Sequence, residues 1–487
     1  MTTPAVATST YDDPSTVCEV IAKQMPAWTE IEDVLGGTRR LRELAAKYLP
    51  QHPGEKLKNY ARRVARMRLF PAFKETLDGL TGMVFRSPPK LDPATAKELL
   101  QDAEDLDGMG NAFEVFARRL FWNGLARGWH GILVDMPTIA NPERTSGLDE
   151  RDRFVRPYWS MVHGSQVVNA DPVTVNGRVR FRQLSVKYEL RRRKGRFGEE
   201  RYCIIREFLV LPNGRVGWIT WEKDSDGKWA PTADKGLFTN CTQIPFVPFY
   251  SGRFIEPLYA EPGLEDLLHA NLSHLRFDTN YETSLDVGMG PILWTRDRGS
   301  SEELEVGPFA TIDVKGEHGA IGYAEPTGSS WAPAQERLKE YKAEMASLGL
   351  AMLMREVRQA ETAEAKKMDK GEQNSKLAVS AIGLKDACEE AWRIHAEFRR
   401  KPAPSILLDL DFDQLEMPPE EIRIWAEVVA SGRLSLQTFW QKLVDGRKLP
   451  DDFDPKVELQ RLTDEAGALM APAPDGDDDL DKPGVAA

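Results

Sequence analysis

Three carboxylates alternate along Asp409-Leu-Asp411-Phe-Asp413. On a strand they share one face, while Leu408, Leu410 and Phe412 share the other. Clustered carboxylates of this kind can hold Mg²⁺ for phosphodiester cleavage. The same alternation is also what a half-exposed strand looks like, and no basic residue or histidine lies nearby in sequence to complete a catalytic set. Other chemistry-bearing patterns are missing from the sequence. It contains no GxxxxGK[ST] phosphate loop, no HExxH and no GxSxG. His269 and His274 are five apart, which puts them on different faces of a helix and argues against a metal pair. The four cysteines, Cys18, Cys203, Cys241 and Cys388, are scattered and read as isolated reduced thiols. The sequence therefore predicts no catalytic residue, no metal and no cofactor.

Two cationic clusters remain. Arg191-Arg-Arg-Lys194, with Arg196 and Arg201, sits at an expected hairpin turn beside Gly195 and Gly198. Such a loop suits a DNA contact, a solvated tip or a tip that pairs with an acidic neighbouring subunit. Arg355 and Arg358, followed by Lys366 and Lys367, fall where one helix should stop and a long one start. In a ring with this joint pointing inward they would line a channel; otherwise they belong to a solvated loop.

The elements that must position these residues follow from periodicity. Residues 15–130 read as helical, with Ser15 or Thr16 capping the first helix and Pro71 in the first turn of another. From 131 to 250 the period becomes two. Gly131-Ile-Leu-Val-Asp135 reads as a buried strand. Asn176-Gly177 marks a hairpin, and the one-residue offset between Val179/Phe181 and Leu184/Val186 implies a bulge near Arg182-Gln183. Turns at Pro212-Asn-Gly214 and Asp224-Ser-Asp-Gly227 extend an antiparallel meander. After Pro262 come a helix ending near Gly288, a small β segment (291–295, 310–314, 321–324) and a helix over 331–348. A long helix over 361–400 carries a heptad of Leu377, Leu384, Ala391 and Phe398, interleaved with Ala381, Cys388 and His395. Its length of about 60 Å suits a role in an assembly. Then follow a strand over 405–413, a helix over 420–431 stopped by Gly432, and a helix capped by Ser435.

At 487 residues the chain is long enough for more than one structural region. It carries 64 Lys+Arg against 76 Asp+Glu, a net charge of −12. A protein that grips DNA phosphates carries a basic excess, so any DNA partner should slide past rather than be held. No stretch approaches the ~20 apolar residues of a membrane helix. Residues 1–10 lack the basic start and apolar run of a secretory signal. The first residues and the Asp-rich, Ala/Pro/Gly-rich tail are expected to be disordered. The sequons at Asn240 and Asn271 are read as chance matches.

Three stretches resemble phage portal proteins, in particular the subgroup with a domain of unknown function found in such portals. They are Tyr60-Ala-Arg-Arg63 through the 73–89 segment ending Ser87-Pro-Pro89; Pro262-Gly-Leu-Glu-Asp-Leu-Leu-His-Ala-Asn-Leu-Ser-His-Leu275 with Gly290-Pro-Ile-Leu293; and Glu361-Thr-Ala363 with Ser375-Lys-Leu377, followed by Ala430-Ser-Gly-Arg-Leu-Ser435. The resemblance spans about residues 15–465. It implies an α+β, portal-like fold without enzymatic activity: a helical and antiparallel β wing over 15–260, a two-helix stem at 261–289 and 331–349, and a β clip at 290–330. A tunnel loop at 350–360, the long helix at 361–400 and a C-terminal wing or crown at 401–465 complete it, with disordered ends at 1–14 and 466–487. The resemblance further implies a homo-oligomeric ring, a dodecamer in the capsid. Its partners would be the terminase, the major capsid protein, head-completion adaptors and double-stranded DNA passing non-specifically, with no membrane. The protein would reside in the virion and, during assembly, in the host cytoplasm. The runner-up reading is a Mg²⁺-dependent nuclease using Asp409, Asp411 and Asp413.

Overall fold

Apolar residues at three- and four-residue spacing build seven helices in the first described stretch: α1 Glu19–Leu35, α2 Gly37–Glu43, α3 Ala45–Tyr48, α4 Leu57–Arg66, α5 Ala72–Val84, α6 Lys97–Glu104 and α7 Phe113–Arg127, with a short strand β1 Lys90–Leu91 between α5 and α6. The computed structural model describes residues 13–137, 156–238, 240–289, 292–296, 318–324, 328, 331–350, 363–408, 419–445, 448–449 and 453–470. The start of α1 differs from expectation. Cys18, not Ser15 or Thr16, is the N-cap residue, and it makes no side-chain cap. The Cys18 N–H donates to the Val168 carbonyl at 2.9 Å, which fixes the backbone there, while Ser15 turns back onto Asp13 at 2.6 Å. Pro71 occupies the N-cap position of α5, where its missing N–H costs nothing.

The chain then changes period, as alternation requires. β2 Trp129–Asp135 is buried at all seven positions and forms the centre of a three-stranded antiparallel sheet, between β3 Tyr158–Val162 and a later strand, β9. Between them runs a five-stranded meander: β4 Val167–Val175, β5 Arg178–Lys194, β6 Gly198–Val210, β7 Val216–Lys223 and β8 Trp229–Leu237. The β4–β5 turn is made by Asn176 and Gly177, both at positive φ (51° and 75°), which selects the hairpin turn that matches strand twist. The bulge implied by the hydrophobic offset is present. Asp171 pairs with Gln183 and Pro172 with Phe181, leaving Arg182 as the extra residue. Strand β9, Phe246–Tyr250, and a small hairpin of β10 Arg253–Glu256 and β11 Tyr259–Glu261 close this part.

Helix α8, Glu265–Gly288, follows, then the hairpin β12 Ile292–Arg296 with β13 Ala320–Ala324, and α9 Trp331–Met345, which runs into a π-helical turn at Ala346–Leu350. The expected strand over 310–314 and the 351–360 joint lie outside the described residues. Helix α10, Ala363–Arg399, is 37 residues long, and β14 Ile406–Leu407 pairs with β1.

The heptad of α10 is covered by its own chain. Leu377, Ala381, Leu384, Cys388, Ala391, His395 and Phe398 are all buried within this chain, against β2, β9 and α7. The heptad is therefore an intrachain core face and not an oligomer seam. A period of 3.5 looks the same in either setting. Each fully buried Leu or Ile here contributes roughly 1.5–3 kcal/mol.

The described residues fall into two compact units, Met1–Leu410 and Asp411–Ala487. In the second, α11 Pro419–Ala430 ends at Gly432 (φ 72°), and the Arg433 N–H returns to the Val428 carbonyl. Ser435 Oγ then accepts from the Thr438 N–H at 3.2 Å and caps α12 Leu436–Asp445. The last helix, α13 Pro455–Met470, runs past residue 465, where the resemblance sets the start of the disordered end. The residues expected to be disordered at 1–12 and 471–487 lie outside the described residues.

Candidate functional site

The element with the most exposed construction is the arm made of α8, the β12–β13 hairpin and α9. Its base is tied firmly to the helical body. Leu267, Leu268, Leu272 and Leu275 are buried, and the Asn271 side chain donates to the Phe70 carbonyl at 2.8 Å while accepting from the Phe73 N–H. That burial excludes a glycan on the Asn271 sequon. Arg63, itself buried, holds Glu55 at 2.7 Å and Asn280 at 3.2 Å, and Arg66 pairs with Asp286. Arg276 donates to the Tyr48 carbonyl at 2.9 Å.

Beyond Thr279 the arm faces solvent. The two helices meet through Phe277 and Tyr341, 5.8 Å between rings, with Arg337 over Tyr341 at 4.1 Å. They close tightly where the hairpin begins. A Cβ on Gly288 would lie 2.0 Å from the Trp331 ring, so any larger residue there must displace that ring. The hairpin then presents Trp294 (44% exposed), Ile321, Tyr323 (59%) and, at the end of α8, Met289 (72%). Trp294 is opposite Gly322 and Tyr323 is opposite Leu293, so Trp294 stands on one face of the hairpin and Ile321 and Tyr323 on the other, and both faces are exposed.

His274 lies at the arm's base, buried between Phe70 and Tyr341, and among the described residues neither ring nitrogen has a hydrogen-bond partner. Burial pushes its pKa down, so the ring is neutral. His269 is exposed and lies 3.8 Å from Glu265, so the two histidines do not converge, as their spacing predicts. Among the described residues no three His, Cys, Asp or Glu side chains gather in a metal-binding group. No helix among them is long and apolar enough to cross a membrane.

The sequence-derived site residues are placed unevenly. Arg355 and Arg358 lie outside the described residues. Lys366 and Lys367 fall on the first turn of α10, whose side chains are described from Lys376 onward. Asp409, Asp411 and Asp413 also lie outside the described residues; the strand expected over 405–413 is seen only as Ile406–Leu407. The hairpin cations are partly neutralised. Arg191 lies 3.6 Å from Glu199, Arg192 lies 3.3 Å from Glu200 and 3.0 Å from Glu222, and Arg201 lies 3.2 Å from Glu189.

Sequence reasoning missed a buried polar node in the body. His395 Nε2 lies 2.9 Å from Asp102 Oδ2, and its Nδ1 accepts from the Trp159 indole N–H at 3.2 Å. Because Trp159 can only donate, His395 must be the neutral Nε2–H tautomer. Burial lowers the His395 pKa further. Arg399 completes the node with two hydrogen bonds to Asp102, at 2.8 and 2.6 Å. Burial raises the Asp102 pKa, but the bonds from His395 and Arg399 outweigh it and hold the carboxyl below its usual value. Asp102 and His395 are 293 positions apart, so no local pattern signals the pair. Asp102, His395 and Trp159 are buried and hydrogen-bonded within the chain, with Arg399 reaching in from a partly exposed position, which makes the node a structural clamp. A groove of about 500 Å³ beside Phe181, Phe246, Tyr250 and Phe254 has Glu390 as its one lining carboxylate, and Glu390 is already bound by Arg393 and Gln243.

The comparisons bear on the arm directly. Residues 263–399, covering α8 through α10, match a family described as a domain of unknown function, DUF4055. No curated protein matches. Three solved structures that align are described as the virion of a native gene transfer agent particle, the neck of the empty particle with C6 symmetry, and the neck of the native particle with C12 symmetry. Their sequence identities are 12%, 12% and 11%, and their TM-scores 0.41, 0.43 and 0.39. The alignments cover 84%, 84% and 82% of this chain and 98% of each of the others. Over its arm and long helix the chain is thus similar to the DUF4055 family.

Proposed function

We propose that this chain is the portal subunit of a tailed phage or phage-like particle: a non-enzymatic protein that forms a ring through which DNA enters and leaves the capsid. The observation that carries the reading is the arm. Two helices leave the body, converge at Gly288 and Trp331, and end in a short hairpin with exposed Trp294 and Tyr323. That is the order expected of a stem and clip, and it coincides with the family match over residues 263–399. In this reading residues 15–260 are the wing, 261–289 and 331–349 the stem and 290–330 the clip. Residues 350–360 are the tunnel loop, and 361–400 with 401–465 the long helix and crown. The clip docks the terminase during packaging and head-completion adaptors afterwards, and the wing meets the major capsid protein.

A ring multiplies every residue into a belt. With a net charge of −12 per chain, the wall repels phosphate and lets DNA pass without sticking. Arg355, Arg358, Lys366 and Lys367 form cationic belts that hold the end of the genome. Replacing all four with alanine leaves the ring intact and impairs packaging or retention; unchanged packaging would remove them from that role.

The reading is tested by light scattering with negative-stain electron microscopy on the purified chain. A ring with a central hole and a mass many times 54.8 kDa is the expected result. A compact monomer that cleaves DNA with Mg²⁺ would overturn it in favour of the nuclease.

A further inference from the structure

We infer that the tip of the β5–β6 hairpin is a docking knob for a second copy of this chain, received by the loop that joins α6 to α7. This rests on the oligomeric reading above and names the contact that makes one copy face the next.

The tip differs from the rest of its own hairpin. Down the ladder, cations and carboxylates neutralise one another, as the Arg191, Arg192 and Arg201 pairs show. At the end this stops: Arg193, Lys194 and Arg196 have no carboxylate within 4 Å among the described residues. Next to Arg196 stands Phe197, 86% exposed, with the Arg196 guanidinium over its ring at 5.0 Å. An aromatic ring held in water by its own arginines has an apolar face to bury and a charge to neutralise. Residues 189–201 carry six cations against three carboxylates, so the remainder of the chain holds a net charge of −15. A second copy is therefore the oppositely charged partner that is always present.

The receiving surface can be named from exposure and charge together. Of the described apolar side chains, Phe197, Met109 (77%), Leu57 (76%) and Met289 (72%) are the most exposed. Leu57 sits between Lys56 and Lys58, which repel the tip, and Met289 follows an aspartate, Asp286, already paired with Arg66. Met109 alone of these has several carboxylates close by in sequence: Glu104, which is exposed, Asp107, which holds the loop's own N–H groups, and Asp105, which is paired with Arg156 at 2.7 Å. Its loop is pre-shaped. Asp107 Oδ1 accepts from the Met109 N–H at 2.9 Å and Asp105 Oδ1 from the Gly110 N–H at 2.7 Å. A thioether against an aromatic ring is a favourable contact, and Glu104 and Asp107, with no cation within 4 Å among the described residues, offer charge to the three cations. Knob and socket are different surfaces of one chain, so the contact is head-to-tail and closes rings when the rotation allows. Duplex DNA is the weaker fit, because the glutamates along the hairpin repel phosphate and Phe197 would have to wedge open a base step.

The test places a benzophenone amino acid at Phe197 in the full-length protein and irradiates it at low and high salt, with and without duplex DNA. Expected are cross-linked dimers whose attachment maps to the peptide containing Met109. Their yield should fall at least tenfold in Arg193→Glu/Lys194→Glu/Arg196→Glu, fall with added salt, and recover in part when that triple variant is mixed with Glu104→Lys chains. Rings that assemble without this cross-link, or with attachment elsewhere, overturn the knob and leave the ring reading standing. A monomer with no cross-link at any concentration overturns the knob, and the ring reading falls with it if that monomer cleaves DNA with Mg²⁺. Cross-linking to the added DNA in place of the chain overturns the knob in favour of a nucleic-acid contact.

Discussion

The body and the arm use the same raw material to opposite ends. In the body, the apolar stripe of α10 closes against β2, β9 and α7, and Trp392 packs among Trp159, Phe113 and His395 at ring distances of 4.9 to 5.8 Å. In the arm, α8 is sealed only as far as Thr279. From there Trp294, Tyr323 and Met289 face water. Burial has been maximised in one region and withheld in the other. Stability should therefore depend on the body, and partner binding on the arm.

The most damaging change should be Trp392→Ala. It empties the centre of the body's aromatic cluster and should cost about 3–5 kcal/mol, read as a drop in the chemical-denaturation midpoint. A loss under 1 kcal/mol would mean the cluster is not the keystone the packing implies. Asp102→Ala should cost about 2–3 kcal/mol, because it strands the His395 N–H and the Arg399 guanidinium. Restoration by Asp102→Asn should be partial, since the amide accepts from one partner only.

Acid should act through the buried histidines of the body and of the arm's base. Burial lowers the pKa of His130, to about 3, and also those of His274 and His395. Unfolded histidines take up protons below about pH 6.5, whereas in the fold burial keeps His130 neutral well below that and shifts His274 and His395 in the same direction. Their stabilising contribution is thus complete above about 6.5 and is lost as pH falls, by about 1.4 kcal/mol per pH unit for each histidine still neutral. Denaturation midpoints measured at pH 7.5 and 5.0 should differ accordingly. A flat profile would contradict the neutral assignments. The smallest effect on stability belongs to the arm: Trp294→Ser with Tyr323→Ser should change it by less than about 0.5 kcal/mol. The same variant should lose binding to purified terminase or adaptor in a pull-down, and retained binding would move the docking surface elsewhere.

Much of the architecture was legible because it is local. The Asn176-Gly177 turn, the bulge at Arg182, the meander, the glycine stop at 432 and the Ser435 cap all follow from turn chemistry and side-chain period, which act over a few residues. The start of α1 was misplaced because a backbone contact to Val168 outweighed a local cap signal.

What the sequence determined by itself is the set of elements, their order, and the acidic balance that argues against a tight grip on DNA. Only the tertiary structure decided which stripes meet. The heptad of α10 specifies an apolar face without saying whose surface covers it, and the fold answers with this chain's own sheet. The Asp102–His395 clamp and the juxtaposition of Gly288 with Trp331 likewise join residues distant along the chain. The physical reason is that period and propensity are properties of neighbours, whereas burial and neutralisation depend on whatever the completed fold brings alongside.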